Sequence, residues 1–129
     1  MRRDLETAAR AARGFMPHLE GVGLYEAALA MTASGPIVEV GSYCGKSAIY
    51  LGAAAMERGL VVFTVDHHRG SEEMQKGWEH HDADLVDPVT GKIDSLPELR
   101  CNLAAAGLES VVVPIIGESS VVAQYWSTP

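Results

Sequence analysis

The segment Ile37-Val38-Glu39-Val40-Gly41-Ser42-Tyr43-Cys44-Gly45-Lys46-Ser47 decides the fold of this 129-residue chain. It predicts a short buried strand, a glycine turn and the first turn of a helix, because β-branched residues favour strands and glycines permit tight turns. A strand that leads through such a turn into a helix presents free backbone N–H groups and the positive end of the helix dipole. The segment therefore predicts a site for the polar part of a nucleotide-like ligand.

The glycine spacing separates three nucleotide-binding motifs. A dinucleotide fingerprint needs a second glycine two residues after the first, where this chain has Tyr43. A Walker A loop needs four residues between its first glycine and Gly-Lys-Ser, whereas Gly41 and Gly45 enclose three. The spacing that fits is an acid, any residue, a glycine, three residues and a glycine, formed by Glu39, Gly41 and Gly45. An ordinary strand-to-helix turn without a ligand is the alternative.

This motif resembles the first motif of the class I S-adenosylmethionine-dependent methyltransferases. The sequence Gly-Ser-Tyr-Cys-Gly-Lys-Ser is most similar to that of their small-molecule O-methyltransferase members. The resemblance implies methyl transfer from S-adenosylmethionine to a small-molecule acceptor, with oxygen as the expected acceptor atom. It also implies a set of cofactor-binding residues, namely Glu39, Gly41, Ser42, Tyr43, Gly45, Lys46, Ser47, Asp66, His67, Gly117, Glu118 and Ser119.

The resemblance assigns a part of the cofactor to each segment. Residues 41–46 would cradle the methionine portion, and Glu39 would orient the loop or meet the cationic amino group. Glu118 and Ser119 would border the adenine, although the family commonly has a shorter aspartate where Glu118 stands. The catalytic base stays unassigned, with His67 as the nearest candidate.

Asp66 ends the predicted second strand, 25 residues after Gly41. Two strands joined by one helix are neighbours in a parallel sheet, so Asp66 is expected beside the glycine loop. An acid in that position can accept both hydroxyls of a ribose. The family places its ribose-binding acid at this strand end. A turn or helix-capping aspartate is the alternative.

The pattern of apolar residues, glycines and prolines predicts an α/β fold. Helices are expected over 4–15, 19–33, 45–58 and from 94–98 to Gly107, with strands over 36–41, 60–66 and 110–117. A last helix is expected to reach Trp126, capped by Ser119 or Ser120. Ser95 and Glu98 have capping-box spacing, and Pro114 makes the third strand an edge strand. The expected architecture is the first half of a Rossmann-like doubly wound sheet, with three parallel strands ordered 3-2-1 and flanking helices.

Two regions divide the chain in this interpretation. Residues 1–35 would form N-terminal helices that cover the cofactor site, as the resemblance implies, and 36–129 the first half of the methyltransferase domain. In the resembled family the later strands of the domain carry most acceptor and catalytic residues, and this interpretation expects the 129 residues to lack them. Strand 37–40 would then have an open apolar edge. We therefore expect a fragment that forms a homo-oligomer. The exposed edge of strand 37–40 is the candidate interface, and it would give a homodimer.

The stretch 67–93 is longer than a usual connection between a strand and a helix. It contains four histidines, two of them adjacent at His67-His68 and two at His80-His81, and a short helix is expected over 71–78. Histidines and aspartates can hold a divalent metal, but adjacent histidines point in different directions. The sequence therefore predicts a polar loop over the cofactor and no metal site, with a divalent metal as the lesser alternative.

Charge and hydrophobicity exclude several classes of partner. The net charge of −7, from 17 acidic and 10 basic residues, argues against nucleic acid. There is no apolar run long enough for a membrane span and no secretory signal, and the cysteines have no CxxC spacing. These features predict a cytoplasmic protein without a nucleic-acid or membrane partner, and the resemblance implies a small-molecule substrate. Two other functions stay open: a non-catalytic half-domain that binds S-adenosylmethionine or a nucleotide and self-associates, and an NAD-type Rossmann domain.

Overall fold

The structure, a computed structural model, describes residues 1–70 and 83–126 of the chain. Within these ranges, two N-terminal helices are followed by strands and helices in alternation, five helices and three strands in all, with a short 3-10 helix at Ala83–Leu85. The helices are α1 (Arg3–Ala11), α2 (His18–Ala30), α3 (Lys46–Arg58), α4 (Leu96–Ala106) and α5 (Ser119–Gln124). The strands are β1 (Ile37–Val40), β2 (Val62–Asp66) and β3 (Val112–Ile116).

The strands form one parallel sheet in the order β1-β2-β3, which confirms the predicted fold class and strand order. Val40 of β1 is opposite Val65, and Asp66 at the end of β2 is opposite Ile116 of β3. The outer position of β3 confirms the prediction from Pro114, whose missing N–H an edge strand tolerates. The carboxyl ends of all three strands therefore lie at one edge of the sheet.

Helix α3 is the centre of the hydrophobic core. Its residues 48–55 are all buried, and five of the eight are alanine or glycine. Small side chains let the neighbouring helices and the sheet approach this helix closely, so α1, α2, α4 and all three strands contact it. The helix that follows the glycine loop is thus held from several sides, which gives the loop a rigid support.

Helices α1 and α2 end earlier than predicted, and side chains of α3 explain both ends. Helix α1 ends at Ala11 rather than residue 15, where Lys46 Nζ donates to the carbonyls of Ala9 and Ala12 at 2.7 and 3.3 Å. Helix α2 ends at Ala30 rather than residue 33, and Arg58 donates to carbonyls near its end. Cations satisfy the last carbonyls of a helix and interact favourably with its dipole.

The predicted capping box of α4 is not formed. Ser95 is the N-cap residue, but its side chain makes no capping hydrogen bond, because its hydroxyl pairs with His68 Nδ1 at 2.7 Å instead. Asp94 Oδ1 accepts the Leu96 N–H in its place, at 3.1 Å. The short helix predicted over 71–78 lies outside the described residues.

Two glycines of α2 provide a matched test of how tightly α2 packs on α3. A Cβ at Gly21 would lie 2.3 Å from ring atoms of Tyr50, whereas a Cβ at Gly23 would have no atom within 4 Å. Gly23→Ala is expected to raise the free energy of unfolding by about 1 kcal/mol through helix propensity. Gly21→Ala is expected to lower it by about 1–3 kcal/mol because the buried Tyr50 ring must move. Urea unfolding measures both, and a gain from both variants would contradict this packing.

Candidate functional site

Asp66 ties the glycine loop to the end of β2. Its Oδ2 accepts the backbone N–H groups of Ser42 and Tyr43 at 2.9 and 2.8 Å, and its Oδ1 accepts the His68 N–H at 3.0 Å. The loop needs this support, since Gly41, Tyr43 and Gly45 have φ values of 95°, 49° and 90°. Tyr43 is the costly one, because a residue with a Cβ disfavours positive φ. The carboxylate therefore sets the shape of the loop.

The environment of Asp66 favours its charged form. Burial by itself would raise the pKa of this carboxyl, but the N–H groups of His68, Tyr43 and Ser42 and the His68 ring outweigh burial. The pKa of Asp66 therefore lies below the usual aspartate value. At neutral pH this edge of the sheet carries a carboxylate that is anchored by backbone hydrogen bonds.

A second carboxylate, Glu39, lies in a network of hydroxyl groups behind the loop. Ser47 Oγ donates to Glu39 Oε2, and Thr64 Oγ1 donates to Glu39 Oε1 at 2.7 Å. Thr64 Oγ1 also lies 2.5 Å from Ser42 Oγ. Burial raises the pKa of Glu39, and the hydrogen bonds from Ser47 and Thr64 oppose this shift. Glu39 thus links β1, β2, the loop and the first turn of α3. Its role toward a cofactor stays a prediction.

A cavity of about 310 Å³ opens at this edge of the sheet. Its walls combine the ends of two strands, the glycine loop and polar side chains: Val40, Gly41, Tyr43, Val65, Asp66, His67, Gly70, Ser95 and Ser119. A side chain at Gly41 would enter open space, so glycine keeps this wall clear. Volume and mixed lining suit a small ligand with an apolar body and a few hydroxyl groups.

An aromatic pair stands beside this cavity. The ring of Tyr43 stacks on that of Phe15 with centroids 5.9 Å apart and planes inclined by 15°. Phe15 belongs to the connection between α1 and α2 and is 67% exposed, although a large apolar side chain usually prefers burial. The connection also carries Arg13, which forms an ion pair with Asp84 at 3.6 Å. The N-terminal region therefore reaches the glycine loop through its aromatic residue.

The predicted site residues divide into three groups. Gly41, Tyr43, Asp66, His67 and Ser119 line the cavity. The second group shapes the loop from behind and consists of Glu39, Ser42, Gly45 and Ser47. The third group points elsewhere or flanks the cavity: Lys46, Gly117 and Glu118.

The three residues of the last group have partners or positions of their own. The Lys46 ammonium contacts the end of α1, so only its backbone is available to the loop. The Gly117 N–H donates to the Asp66 carbonyl at 3.0 Å. Glu118 is exposed at the start of α5. A role in cofactor binding stays a prediction for these three residues, as it does for the other nine.

Three site residues were missed in the sequence. Thr64 and Ser95 contribute buried hydroxyls, and His68 is buried between Asp66 and Ser95. The sequence does indicate Thr64, because it is a polar residue two positions before Asp66 in an otherwise apolar strand. The sequence does not indicate Ser95 as a site residue, because its capping-box spacing predicts a different role.

Lys46 offers a test of the contact between α3 and α1. Lys46→Met keeps the apolar stem but leaves the carbonyls of Ala9 and Ala12 without their cationic donor, so we expect the free energy of unfolding to fall by about 1–2 kcal/mol. Lys92→Met, at an exposed turn, is the control and should change stability by less than about 0.5 kcal/mol. Equal stability of the two variants in urea unfolding would contradict the capping role of Lys46.

Neither a metal centre nor a membrane-spanning helix is found in residues 1–70 and 83–126. Within these ranges, there is no group of three or more His, Cys, Asp or Glu side chains placed to hold a metal ion. Of the four histidines in the long connection, His80 and His81 lie outside the described residues. Over the same ranges, each helix is too short or too polar to cross a membrane.

Comparison with known proteins identifies the class to which this fold and site belong. A family described as a methyltransferase domain matches residues 38–129. Because the match covers well over half of the chain, the chain belongs to this methyltransferase domain family. The family membership confirms the resemblance identified from the glycine motif.

Solved structures show the same fold. The cofactor-bound Rv0187 from MTB superimposes with a TM-score of 0.62 at 20% identity, over 97% of this chain and 45% of its own. The O-methyltransferase TomG from Streptomyces achromogenes, involved in tomaymycin synthesis and solved in complex with SAM, gives 0.63 at 19% identity, over 100% of this chain and 49% of its own. The chain thus spans about half the length of these two proteins.

Proposed function

We propose that this chain is the cofactor-binding half of an S-adenosylmethionine-dependent methyltransferase that acts on a hydroxyl group of a small molecule. The observation that carries the proposal is the anchored Asp66 carboxylate beside the glycine loop, at the mouth of a cavity of about 310 Å³. Membership in the methyltransferase domain family supports it. The oxygen acceptor is supported by the sequence resemblance and by the likeness to an O-methyltransferase.

The residues of the cavity fit the parts of this cofactor. Asp66 can accept a hydrogen bond from a ribose hydroxyl, and the backbone at Gly41 leaves room for the chain that carries the sulfur. Val40, Val65 and the Tyr43 ring supply apolar surface for a base. S-adenosylmethionine supplies a methyl group that is already activated on a sulfonium, so the protein contributes mainly by positioning.

His67 is poorly prepared to be a general base in this arrangement. Its Nδ1 accepts the Arg69 N–H at 2.9 Å, so a neutral ring carries its proton on Nε2. Only Nδ1 could take up a proton, and it is already engaged. We therefore assign no catalytic base to this half of the domain. Deprotonation of an acceptor hydroxyl would require a residue elsewhere or an acceptor of low pKa.

Calorimetric titration with S-adenosylhomocysteine tests the proposal. We expect saturable binding that a tenfold excess of NAD does not reduce. Binding of NAD with no binding of S-adenosylhomocysteine would favour the NAD-type Rossmann alternative. Absence of both in a folded sample would contradict the proposed cofactor site. If methyl transfer to phenols or sugars is absent while the cofactor binds, the non-catalytic binding half-domain becomes the better description.

We further propose that the chain forms a homodimer through β1, in keeping with a small-molecule enzyme that has no nucleic-acid or membrane partner. Val38 and Val40 are 48% and 67% exposed, and they border a groove of about 440 Å³ with α5. Val40→Lys should shift the sedimentation coefficient to that of a monomer. Val89→Lys, in an exposed turn, should not. A well-folded wild-type monomer at high concentration would overturn this proposal.

A cytoplasmic location completes the proposed function. Cys44 and Cys101 are thiols and not a disulfide, which is typical of a reducing compartment.

A further inference from the structure

The Asp66 carboxylate has too little free hydrogen-bonding capacity for a whole ribose. A carboxylate offers about four lone-pair positions, two on each oxygen. The N–H groups of Ser42 and Tyr43 use both positions of Oδ2, and the N–H of His68 uses one of Oδ1. One position is left, which can accept one hydroxyl. The other hydroxyl of a ribose diol therefore needs a different partner.

Ser95 lines the same cavity and is tied to the same element as Asp66. Its N–H donates to the His68 carbonyl at 3.0 Å, and its Oγ lies 2.7 Å from His68 Nδ1. His68 in turn donates its N–H to Asp66 Oδ1. His68 thus contacts both the Asp66 carboxylate and the Ser95 hydroxyl, and both Asp66 and Ser95 line the cavity. Ser95 is 2% exposed, so its hydroxyl is held in one place and is not mobile at the surface.

His68 has a conformation that serves this arrangement. Its φ of 63° lies in the left-handed region, and the residue is 1% exposed. Its Nε2 is buried and has no hydrogen-bond partner among the residues that the structure describes. A buried N–H without an acceptor is rarer than a buried acceptor without a donor. We therefore place the ring proton on Nδ1, which donates to Ser95 Oγ.

This tautomer leaves the Ser95 hydroxyl with its own hydrogen and one lone pair available. Burial lowers the pKa of His68, although Asp66 and Asp94 oppose the shift, so the ring stays neutral at physiological pH. Asp66 can only accept a hydrogen bond, whereas Ser95 can donate or accept one. Together they match two adjacent hydroxyl groups.

We infer that Ser95 is the second ribose-binding residue of this site and that His68 is its positioning residue. One ribose hydroxyl donates to Asp66 Oδ1, and the neighbouring hydroxyl pairs with Ser95 Oγ. This inference rests on the proposed function, because it takes the ligand to be S-adenosylmethionine or its product.

The test compares S-adenosylhomocysteine with its 2′-deoxy and 3′-deoxy analogues by calorimetry. Wild type is expected to bind each analogue about threefold to tenfold more weakly than the parent ligand, because each lacks one hydrogen bond. In Ser95→Ala the preference over one analogue should disappear while the preference over the other remains. Ser110→Ala, at an exposed position outside the cavity, is the matched control and should keep both preferences.

Preferences for both hydroxyls that are unchanged in a folded Ser95→Ala variant would overturn the inference, while wild-type binding of the parent ligand would leave the proposed function standing. No binding of S-adenosylhomocysteine by folded wild type would overturn both. If the alanine variant is unfolded, Ser95→Cys replaces it in the test. Cysteine has a side chain of similar volume but is a much weaker hydrogen-bond donor, so the same loss of preference is expected. A merely structural serine would weaken all three ligands equally.

Variants of His68 show whether this residue positions the Ser95 hydroxyl or only fills space in the core. Asparagine tolerates positive φ and carries an N–H donor close to the position of Nδ1, so His68→Asn should keep both preferences. His68→Ala should lose the same preference as Ser95→Ala, without loss of the other. Retention of both preferences in a folded His68→Ala variant would overturn the positioning role.

Discussion

Replacement of Asp66 by asparagine is expected to abolish measurable S-adenosylhomocysteine binding and to lower the free energy of unfolding by about 2–4 kcal/mol. The Asp66 carboxylate accepts three backbone N–H groups, from Ser42, Tyr43 and His68. Asparagine keeps one acceptor oxygen, but its NH₂ group replaces the other oxygen. That NH₂ group would face a backbone N–H, and two donors cannot form a hydrogen bond. The loop around Tyr43 then loses the interactions that hold its positive φ. Urea unfolding and calorimetry measure the two effects.

Asp87→Asn is the matched control for this variant. Asp87 also accepts a backbone N–H, from Val89 at 2.9 Å, and a hydroxyl from Thr90, but it does not line the cavity. The control should lose less than about 1 kcal/mol and should bind the ligand as wild type does. If Asp66→Asn unfolds at the same urea concentration as the control, Asp66 does not stabilise the glycine loop as argued.

The stabilisation by Asp66 has a defined pH dependence. The pKa of Asp66 in the folded protein lies below the value of about 3.9 expected in the unfolded chain. Its contribution is therefore fully present above that unfolded value and is lost as the pH falls through the folded pKa. The stability difference between wild type and Asp66→Asn should shrink as the pH falls below about 4, where the carboxylate takes up its proton. A difference that keeps growing below pH 4 would contradict the lowered pKa of Asp66.

Gly45→Ala is expected to be the most destabilising single-methyl change in the glycine loop, with a loss of about 2–5 kcal/mol. Two costs add together. Gly45 has a φ of 90°, which disfavours any residue with a Cβ, and that Cβ would lie 2.5 Å from Cδ1 of the fully buried Leu99. Because Gly45 is the N-cap residue of α3, the strain falls on the helix at the centre of the core. Thermal and urea unfolding give the size of the loss.

Gly107→Ala separates the two costs. Gly107 ends α4 with a φ of 69°, but a Cβ there would meet no atom within 4 Å. Only the conformational cost of about 1–2 kcal/mol should appear in this variant. Equal losses for Gly45→Ala and Gly107→Ala would show that Leu99 gives way freely, and the close packing of α4 against the loop would then be wrong.

The parts of the site that could be predicted are those encoded by neighbours in the chain. The strand, glycine turn and helix around Gly41 and Gly45 follow from local spacing, and Asp66 follows from its position at the end of the next strand. Parallel strands bring such ends together whatever the rest of the chain does. The order of the strands and the edge position of β3 were predictable for the same reason.

The hydrogen bonds of Lys46 and Ser95 could not be predicted in this way. Lys46 belongs to the glycine motif, but its ammonium donates to the carbonyl of Ala9 near the end of α1. Lys46 and Ala9 are 37 residues apart in the sequence. Ser95 has the spacing of a capping residue, yet its hydroxyl pairs with His68, which is 27 residues distant. In both cases a local pattern competed with a partner that only packing brings within reach.

By itself the sequence determined the fold class, the strand order, the glycine loop and the acid beside it. These features depend on backbone preferences and on the alternation of strands and helices, which act over a few residues. Only the tertiary structure decided how many positions Asp66 keeps free, which hydroxyls surround Glu39, and that His68 is buried against Ser95. Such choices depend on distances of about 3 Å between groups far apart in the chain, which hydrogen bonding requires and local sequence does not specify.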